Sequence, residues 1–381
     1  MIPSTLDDRP TVTPSTPLAR RSKTLSASLG LGEKLFASSE ERRFADAIEV
    51  GLEKVEEGLL REVSFADDMA DVTSRYLLEA GGKRIRPVLT LLTAQLGDGA
   101  IDDVITAAQA IEITHLASLY HDDVMDEAEM RRGVPSAQSV WGNSVAILTG
   151  DLLFARASKL VASLGERAIK LQADTFERLC LGQLHETLGP RPGDDPVEHY
   201  LQVLADKTGS LIAAAAQMGV VFSNACDEYA EPVVAFGEKI GVAFQLVDDV
   251  IDLSEPDAET GKPQGTDLRS GVATLPLLFL RRAAVSDPEA AALLARIERT
   301  VDAAEGQAAH AAPVSADALA EVDADFTAAV TALRSHAVTT ETLDEARRWA
   351  AEAVAALAPL PEGPVKLALT KFAEAVVERS T

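Results

Sequence analysis

The sequence is poor in several things, and each shortage removes a class of protein. Two cysteines, Cys180 and Cys226, occur in 381 residues, too few for a disulfide framework or a cysteine zinc site. Both lie in apolar stretches and are expected to be buried small hydrophobes. Positive charge is scarce: 35 Lys and Arg stand against 60 Asp and Glu, a formal charge of −25. No nucleic-acid partner is therefore expected, since that requires a basic footprint, and a polybasic membrane face is absent too. No run of roughly 18 uncharged apolar residues occurs, so no spanning helix is expected. The N-terminus, MIPSTLDDRPTVTPSTPLARRSKT, puts Asp7, Asp8 and several prolines where a secretory signal would have an apolar core. The expectation is a soluble cytoplasmic protein.

Residues 1–38 are rich in Ser, Thr and Pro and read as a disordered or loosely docked tail. From about Glu40 the composition turns to Ala, Leu, Glu and Arg, and alternating β-branched runs are scarce. Val104 to Glu129 contains no Gly or Pro and predicts a helix approaching 40 Å. Breakers separate such stretches, at Gly81-Gly82, Gly97-Asp98-Gly99, Arg132 to Pro135, Gly189 to Gly193 and Ser254 to Gly271. Residues 302–322 read as a low-complexity insertion between two helices. No shift of composition marks a boundary, so residues 39–381 are expected to form a single all-α domain.

Two segments carry the chemistry. In ITHLASLYHDDVMDEAEMRRG (residues 113–133), Asp122 and Asp126 are four apart and share one helix face. His115, seven residues before Asp122, lies on the same stripe. In FGEKIGVAFQLVDDVIDLSEPD (residues 236–257), Asp248 and Asp252 repeat the spacing, with Asp249 between them and Phe244 and Gln245 a turn earlier. Like charges so placed cost a helix a few tenths of a kcal/mol, a cost that water or a cation relieves. A solvated acidic face explains one such cluster in a chain this acidic. Two copies of one spacing, each ending an apolar helix, point instead to a hard cation. Oxygen donors without Cys suit Mg²⁺, which takes a few carboxylates, several waters and a substrate's phosphates.

Against this acidity, concentrated positive charge is conspicuous. GGKRIRP places Lys83, Arg84 and Arg86 between a glycine turn and a helix-starting proline, and Arg131 and Arg132 follow the first cluster. Lys207-Thr208-Gly209 and Lys262 stand elsewhere. Arginine suits bidentate clamping of diphosphate oxygens and lysine supplies a point charge. Any one of these is explained by a surface salt bridge, and Arg131-Arg132 by capping of the acidic helix. Taken together with two magnesium-type clusters, a diphosphate site is the more economical account.

With GGKRIRP, HDDVMDEAEMRRG, GNSVAILTGDLLF, KTGSLI, FQLVDDVID and GKPQGTDLRSGVATLPLL in this order, residues 45–380 resemble the trans-isoprenyl diphosphate synthases, or polyprenyl synthetases. The resemblance implies an isoprenoid-synthase-type helical bundle around a deep central cavity, a homodimer, and Mg²⁺, three ions in each active site. It implies that Asp122 and Asp126 hold two ions and Asp248 a third, with Asp123, Asp249 and Asp252 supporting them. Arg131 and Lys207 would grip the allylic diphosphate, with Lys262 beside them. Lys83, Arg86, His115 and Arg132 would bind isopentenyl diphosphate. Gln245 and Gln183 resemble polar supports near the reacting centre, and Thr208 the threonine whose oxygen stabilises the carbocation. His121 is expected to be structural. One departure stands out: where many members have a second lysine, this chain has Val272.

Positions four and five before the first acidic cluster set the floor for the growing chain in this family. Here they are Ser118 and Ala117, where early-stopping synthases resemble this pattern with Phe or Tyr. Two small residues imply a heptaprenyl to decaprenyl product, a quinone side-chain precursor, although ordinary helix packing also explains them. Release of so greasy a product implies at most peripheral membrane contact. A short-chain synthase making geranylgeranyl or farnesyl diphosphate stays open, as does a non-catalytic subunit of a heteromeric synthase. A terpene cyclase is disfavoured by FQLVDDVID, since cyclases replace that box with a mixed Asn/Ser/Glu motif.

Overall fold

The chain is helical over most of its described length, and helices such as Asn143–Leu164 and Glu166–Leu188 are followed by glycines of positive φ, Gly165 and Gly189. The computed structural model describes residues 39–254, 264–309 and 316–379. The expected tail at 1–38 and Lys262 lie outside the described residues, as does 310–315 within the expected insertion. The first helices are α1 (Ser39–Glu62), α2 (Asp68–Glu79), α3 (Ile85–Ala94) and α4 (Asp102–Met125). A small antiparallel hairpin follows, β1 (Met130–Arg131) with β2 (Val134–Pro135). Then come α5 (Ala137–Trp141), α6 (Asn143–Leu164), α7 (Glu166–Leu188) and α8 (Pro196–Leu204). A π-helical turn, Ala205–Gly209, joins α8 to α9 (Ser210–Phe222). The remaining helices are α10 (Ala230–Asp252), α11 (Thr266–Arg269), α12 (Leu275–Ala283), α13 (Pro288–Ala309), α14 (Ala316–Ser335), α15 (Ala337–Ala356) and α16 (Pro364–Glu378). Most of 302–322 thus belongs to the facing ends of α13 and α14.

The chain folds as two compact units. The first comprises residues up to Leu179 together with Ser210–Glu238 and Val354–Phe372. The second comprises Cys180–Gly209, Lys239–Ala353 and the residues from Ala373 onward.

In the first unit, α3 and α9 approach closely because their facing residues are small or hydroxylic. Thr90 and Thr93 of α3 donate to the carbonyls of Ala215 and Ala216 at 2.9 and 2.8 Å. A Cβ at Gly219 would lie 2.0 Å from Thr93 Oγ1, so only glycine permits that approach. Ala107, Ala110 and Ile111 of α4 pack with Val161, Leu211 and Met218 in a buried cluster. Tyr120 of α4 is fully buried and ties α2 to it: its hydroxyl donates to Thr73 O at 2.5 Å and accepts from Leu77 N at 3.2 Å. Tyr120→Phe strips both partners of that hydroxyl, and we expect a loss of about 1–3 kcal/mol in chemical denaturation. The second unit is built on Leu204, Val242, Leu246, Leu280, Phe326 and Leu333, among others.

Two expectations need correction. The helix expected over 104–129 starts at Asp102 and stops at Met125. It stops because Glu127 takes φ 50 and the chain reverses through Arg132 (φ 52) and Gly133 (φ 76), the two positive φ values that a tight hairpin turn requires. Arg131 and Arg132 therefore sit on a hairpin and not on a continuing helix. Cys180 and Cys226 are exposed, not buried. Cys226 lies in the loop after α9, and Cys180 lies on α7 beside Leu181 and Leu184, which are exposed too. Among the described residues, no helix is long and apolar enough to cross a membrane.

Candidate active site

The apolar face of α4 ends in its acidic cluster. Asp126 caps the helix, its N–H bonded to Asp122 O at 2.8 Å, so the four-residue relation between these carboxylates survives the helix end. Asp122 is partly buried and Asp126 exposed. Asp123 points the other way: it is fully buried, and its Oδ1 accepts from Arg131 Nε at 2.5 Å. The hairpin turns Arg131 back onto the cluster in this way. Burial still raises the Asp123 carboxyl above its ordinary value, against the pull of Arg131. Ala117 and Ser118, a turn below Asp122, are both buried, and Ser118 Oγ donates to His115 O at 2.9 Å. His121 is braced against α6, its Nε2 lying 3.0 Å from Ile147 O.

The basic residues form a second layer in the same unit. Arg84 takes φ 51 and turns inward, donating to Glu56 Oε1 at 2.6 Å and lying 3.4 Å from Glu112 Oε1. It is committed to the fold. Arg132 donates through Nη1 to the carbonyls of Leu77, at 2.7 Å, and Gly81. Gly82 (φ +135) is obligatory here, since a Cβ would meet the Arg84 guanidinium at 2.5 Å and Arg132 at 3.0 Å. Arg86 and Arg132 are lowered to about 10 by burial, with Glu112 opposing, so both stay cationic at neutral pH. Burial, and then the charges of Arg86, Arg132, Arg131 and Arg84, hold His115 well below its ordinary value and hence neutral. Arg86 Nε is buried with no hydrogen-bond partner among the described residues. An orphaned buried guanidinium donor is costly, and an anionic ligand is the natural remedy. Lys83 is exposed beside this group.

The second unit carries the other cluster. Asp248 is partly exposed and accepts from Arg379 at 3.1 Å. Asp249 is buried, and its Oδ2 accepts from the Tyr200 hydroxyl at 2.6 Å. Burial pushes the Asp249 carboxyl up to about 8, against the hydrogen bond from Tyr200. Asp252 ends α10, and its Oδ2 accepts from Asp267 N at 3.1 Å. Asp249 and Asp252 thus tie down neighbouring chain, while Asp248 faces outward. Lys207 and Thr208 occupy the π turn, a distortion frequent at functional sites. Lys207 Nζ donates to Glu186 Oε2 at 2.5 Å. Gln245 is partly exposed on α10, and Gln183 is buried on α7 with Oε1 lacking a partner among the described residues. Val272 is 38% exposed.

The donor chemistry fits a hard divalent cation. Both clusters offer oxygen alone, and Asp123 Oδ2 is buried without a hydrogen-bond partner among the described residues. Among the described residues no three His, Cys, Asp or Glu side chains are grouped closely enough to hold a metal ion by themselves.

Sequence reasoning missed Glu112, Tyr200, Glu186 and Arg379. A buried acid ten residues before Asp122 in an apolar helix was a usable signal for Glu112. The other three lie far along the chain from what they touch, and no spacing points to them.

A mainly helical fold that ends two helices in acidic clusters and layers guanidiniums beside one of them has the charge pattern that suits phosphate-bearing substrates. The polyprenyl synthetase family model matches residues 68–312, and the chain belongs to that family. It is an enzyme of prenyl chain elongation, a trans-polyprenyl diphosphate synthase. The chain is 41% identical over 361 residues to nonaprenyl diphosphate synthase of Mycobacterium tuberculosis (strain ATCC 25618 / H37Rv), covering 94% of itself and 99% of that relative. It is similar to the solved polyprenyl synthase of Caulobacter crescentus CB15, complexed with calcium and isoprenyl diphosphate: TM-score 0.76 at 30% identity, covering 89% of this chain and 98% of that one. It is also similar to geranylgeranyl pyrophosphate synthase of Corynebacterium glutamicum, complexed with the same two ligands: TM-score 0.71 at 38% identity, covering 91% and 99%.

Proposed function

We propose that the chain uses Mg²⁺ to condense an allylic prenyl diphosphate with isopentenyl diphosphate, head to tail and repeatedly, releasing an all-trans heptaprenyl to decaprenyl diphosphate. The observation that carries the long product is the small pair Ala117 and Ser118 one turn below Asp122. The near full-length similarity to a nonaprenyl synthase supports it.

In this reading Asp122 and Asp126 hold two ions and Asp248 a third. Bound Mg²⁺ supplies positive charge to the departing diphosphate. Arg131 and Lys207 bind the allylic diphosphate, with Lys262 beside them, and lower the energy of the charge that develops as the carbon–oxygen bond ionises. Asp123 orients Arg131, and Glu186 orients Lys207. Thr208 offers its oxygen to the allylic cation, and Gln245 and Gln183 supply polar support. Arg86, Arg132, Lys83 and a neutral, donating His115 hold isopentenyl diphosphate, whose double bond attacks the cation. The proton lost from the product goes to the released diphosphate, so no side-chain base is required.

Arg86→Ala removes a charged donor from that second substrate alone. Its KM for isopentenyl diphosphate should rise roughly ten- to hundredfold, with the KM for the allylic substrate changed much less. Steady-state kinetics with each substrate varied in turn checks this.

We further propose that residues 39–381 act as one catalytic domain, in the cytoplasm, in a homodimer. Ile147, Leu148 and Leu152 of α6 are exposed, Leu148 by 61%, and a second copy would cover them. Membrane contact is at most peripheral, for product release. A geranylgeranyl-length product is the second reading, favoured by the Corynebacterium glutamicum similarity. The reaction itself is tested by diphosphate release from farnesyl and isopentenyl diphosphates by the purified chain alone. Release should require Mg²⁺ and stop with a chelator; no release would favour a non-catalytic subunit.

A further inference from the structure

Arg379 follows α16 and lies against α10, along two residues one turn apart. Its Nη2 donates to Asp248 Oδ1 at 3.1 Å, and its guanidinium carbon stands 4.7 Å from the centroid of the Phe244 ring. Val377, two residues earlier, packs on the core of the same unit, which delivers the arginine to this place. Asp248 is the most exposed aspartate of its cluster, the others being buried.

We propose that Arg379 is a positioning residue that competes with cations for Asp248 and is displaced when cations and diphosphate arrive, so that the last turn of α16 responds to loading of the site. The inference rests on the reading of Asp248 as a metal ligand. A carboxylate oxygen that accepts a guanidinium is poorly placed to coordinate Mg²⁺ at about 2.1 Å, and the two cations repel. A contact that metal binding must break weakens metal binding by its own free energy. The side chains of Arg379 and Asp248 are 32% and 36% exposed, and pairs so exposed are weak. A contact this weak gives way readily to a divalent cation. Stacking on Phe244 gives the guanidinium its orientation.

The test is calorimetric titration of Mg²⁺ into the full chain with inorganic pyrophosphate present. Arg379→Ala should bind Mg²⁺ about two- to fivefold more tightly than the wild type, with Arg379→Lys between them. In the wild type, hydrogen exchange of residues 373–379 should quicken on saturation with Mg²⁺ and pyrophosphate. Unchanged or weaker binding by Arg379→Ala, or slower exchange on loading, overturns the proposal. Asp248→Ala separates the two levels. If it leaves Mg²⁺ binding unchanged, the metal-ligand reading fails and the inference with it. If it weakens binding while Arg379→Ala has no effect, only the inference fails.

Discussion

Asp122→Ala, and separately Asp126→Ala, should lower kcat by roughly three orders of magnitude or more while leaving the protein folded. The size follows from charge: a metal ion contributes several kcal/mol to the stabilisation of a leaving group, and each 1.4 kcal/mol is tenfold in rate. The sign of the stability change is the unusual part. Asp122 is partly buried and Asp126 exposed at the helix end, and their mutual repulsion costs the helix a few tenths of a kcal/mol. Removing Asp126 should leave the melting temperature unchanged or slightly raised, whereas removing Asp122 also gives up its attraction for Arg86. Single-turnover rates and thermal melts on the same samples check both halves. A variant that keeps wild-type turnover contradicts the assignment, and one that melts early moves these carboxylates from catalysis to architecture.

Ser118→Phe should shorten the product to about four isoprenes or fewer with the first condensation retained. Ser118 sits one turn from Asp122, and each helical turn is about 5.4 Å, close to the length of an isoprene. A phenyl ring there meets the tail early. Ser118 is also packed, only 6% exposed, with Oγ bonded to His115 O, so the larger side chain is expected to cost about 1–3 kcal/mol. Ala117→Phe is the companion variant, since Ala117 makes no side-chain hydrogen bond to lose. Chromatography of the dephosphorylated products reads the outcome. Two folded variants with an unchanged product distribution would show that these positions are helix packing and nothing more.

The acidic clusters were legible in the sequence because helical periodicity is itself a spatial statement: four residues apart means one face, whatever the fold. The helical architecture was legible in composition, since Ala, Leu, Glu and Arg dominate from about Glu40 and alternating β-branched runs are scarce. What followed Asp126 was harder to read. Nothing between Val104 and Glu129 forbids a helix, and α4 stops at Met125 because the hairpin at Arg132 and Gly133 returns Arg131 to Asp123. That is a tertiary reason with a weak local sign. Spacing alone did not separate Arg84 from Arg86, and only the resemblance singled out Arg86; Glu56 and Glu112 draw Arg84 into the fold, and Arg86 is left with an unmatched donor. Tyr200 and Asp249 are 49 residues apart, and Arg379 and Asp248 are 131 apart. Contacts at such range belong to the packing of helices on one another. The cysteines failed for a related reason, since an apolar neighbourhood in sequence becomes a buried one only if that face is turned inward.

The most direct test of the central claim is the chain length of products made by the purified protein from Mg²⁺, labelled isopentenyl diphosphate and farnesyl diphosphate. The account predicts products of heptaprenyl length or longer, formed only with the metal. Accumulation at geranylgeranyl diphosphate would contradict the open floor at Ala117 and Ser118, and no condensation with any allylic primer would contradict the catalytic assignment of both acidic clusters.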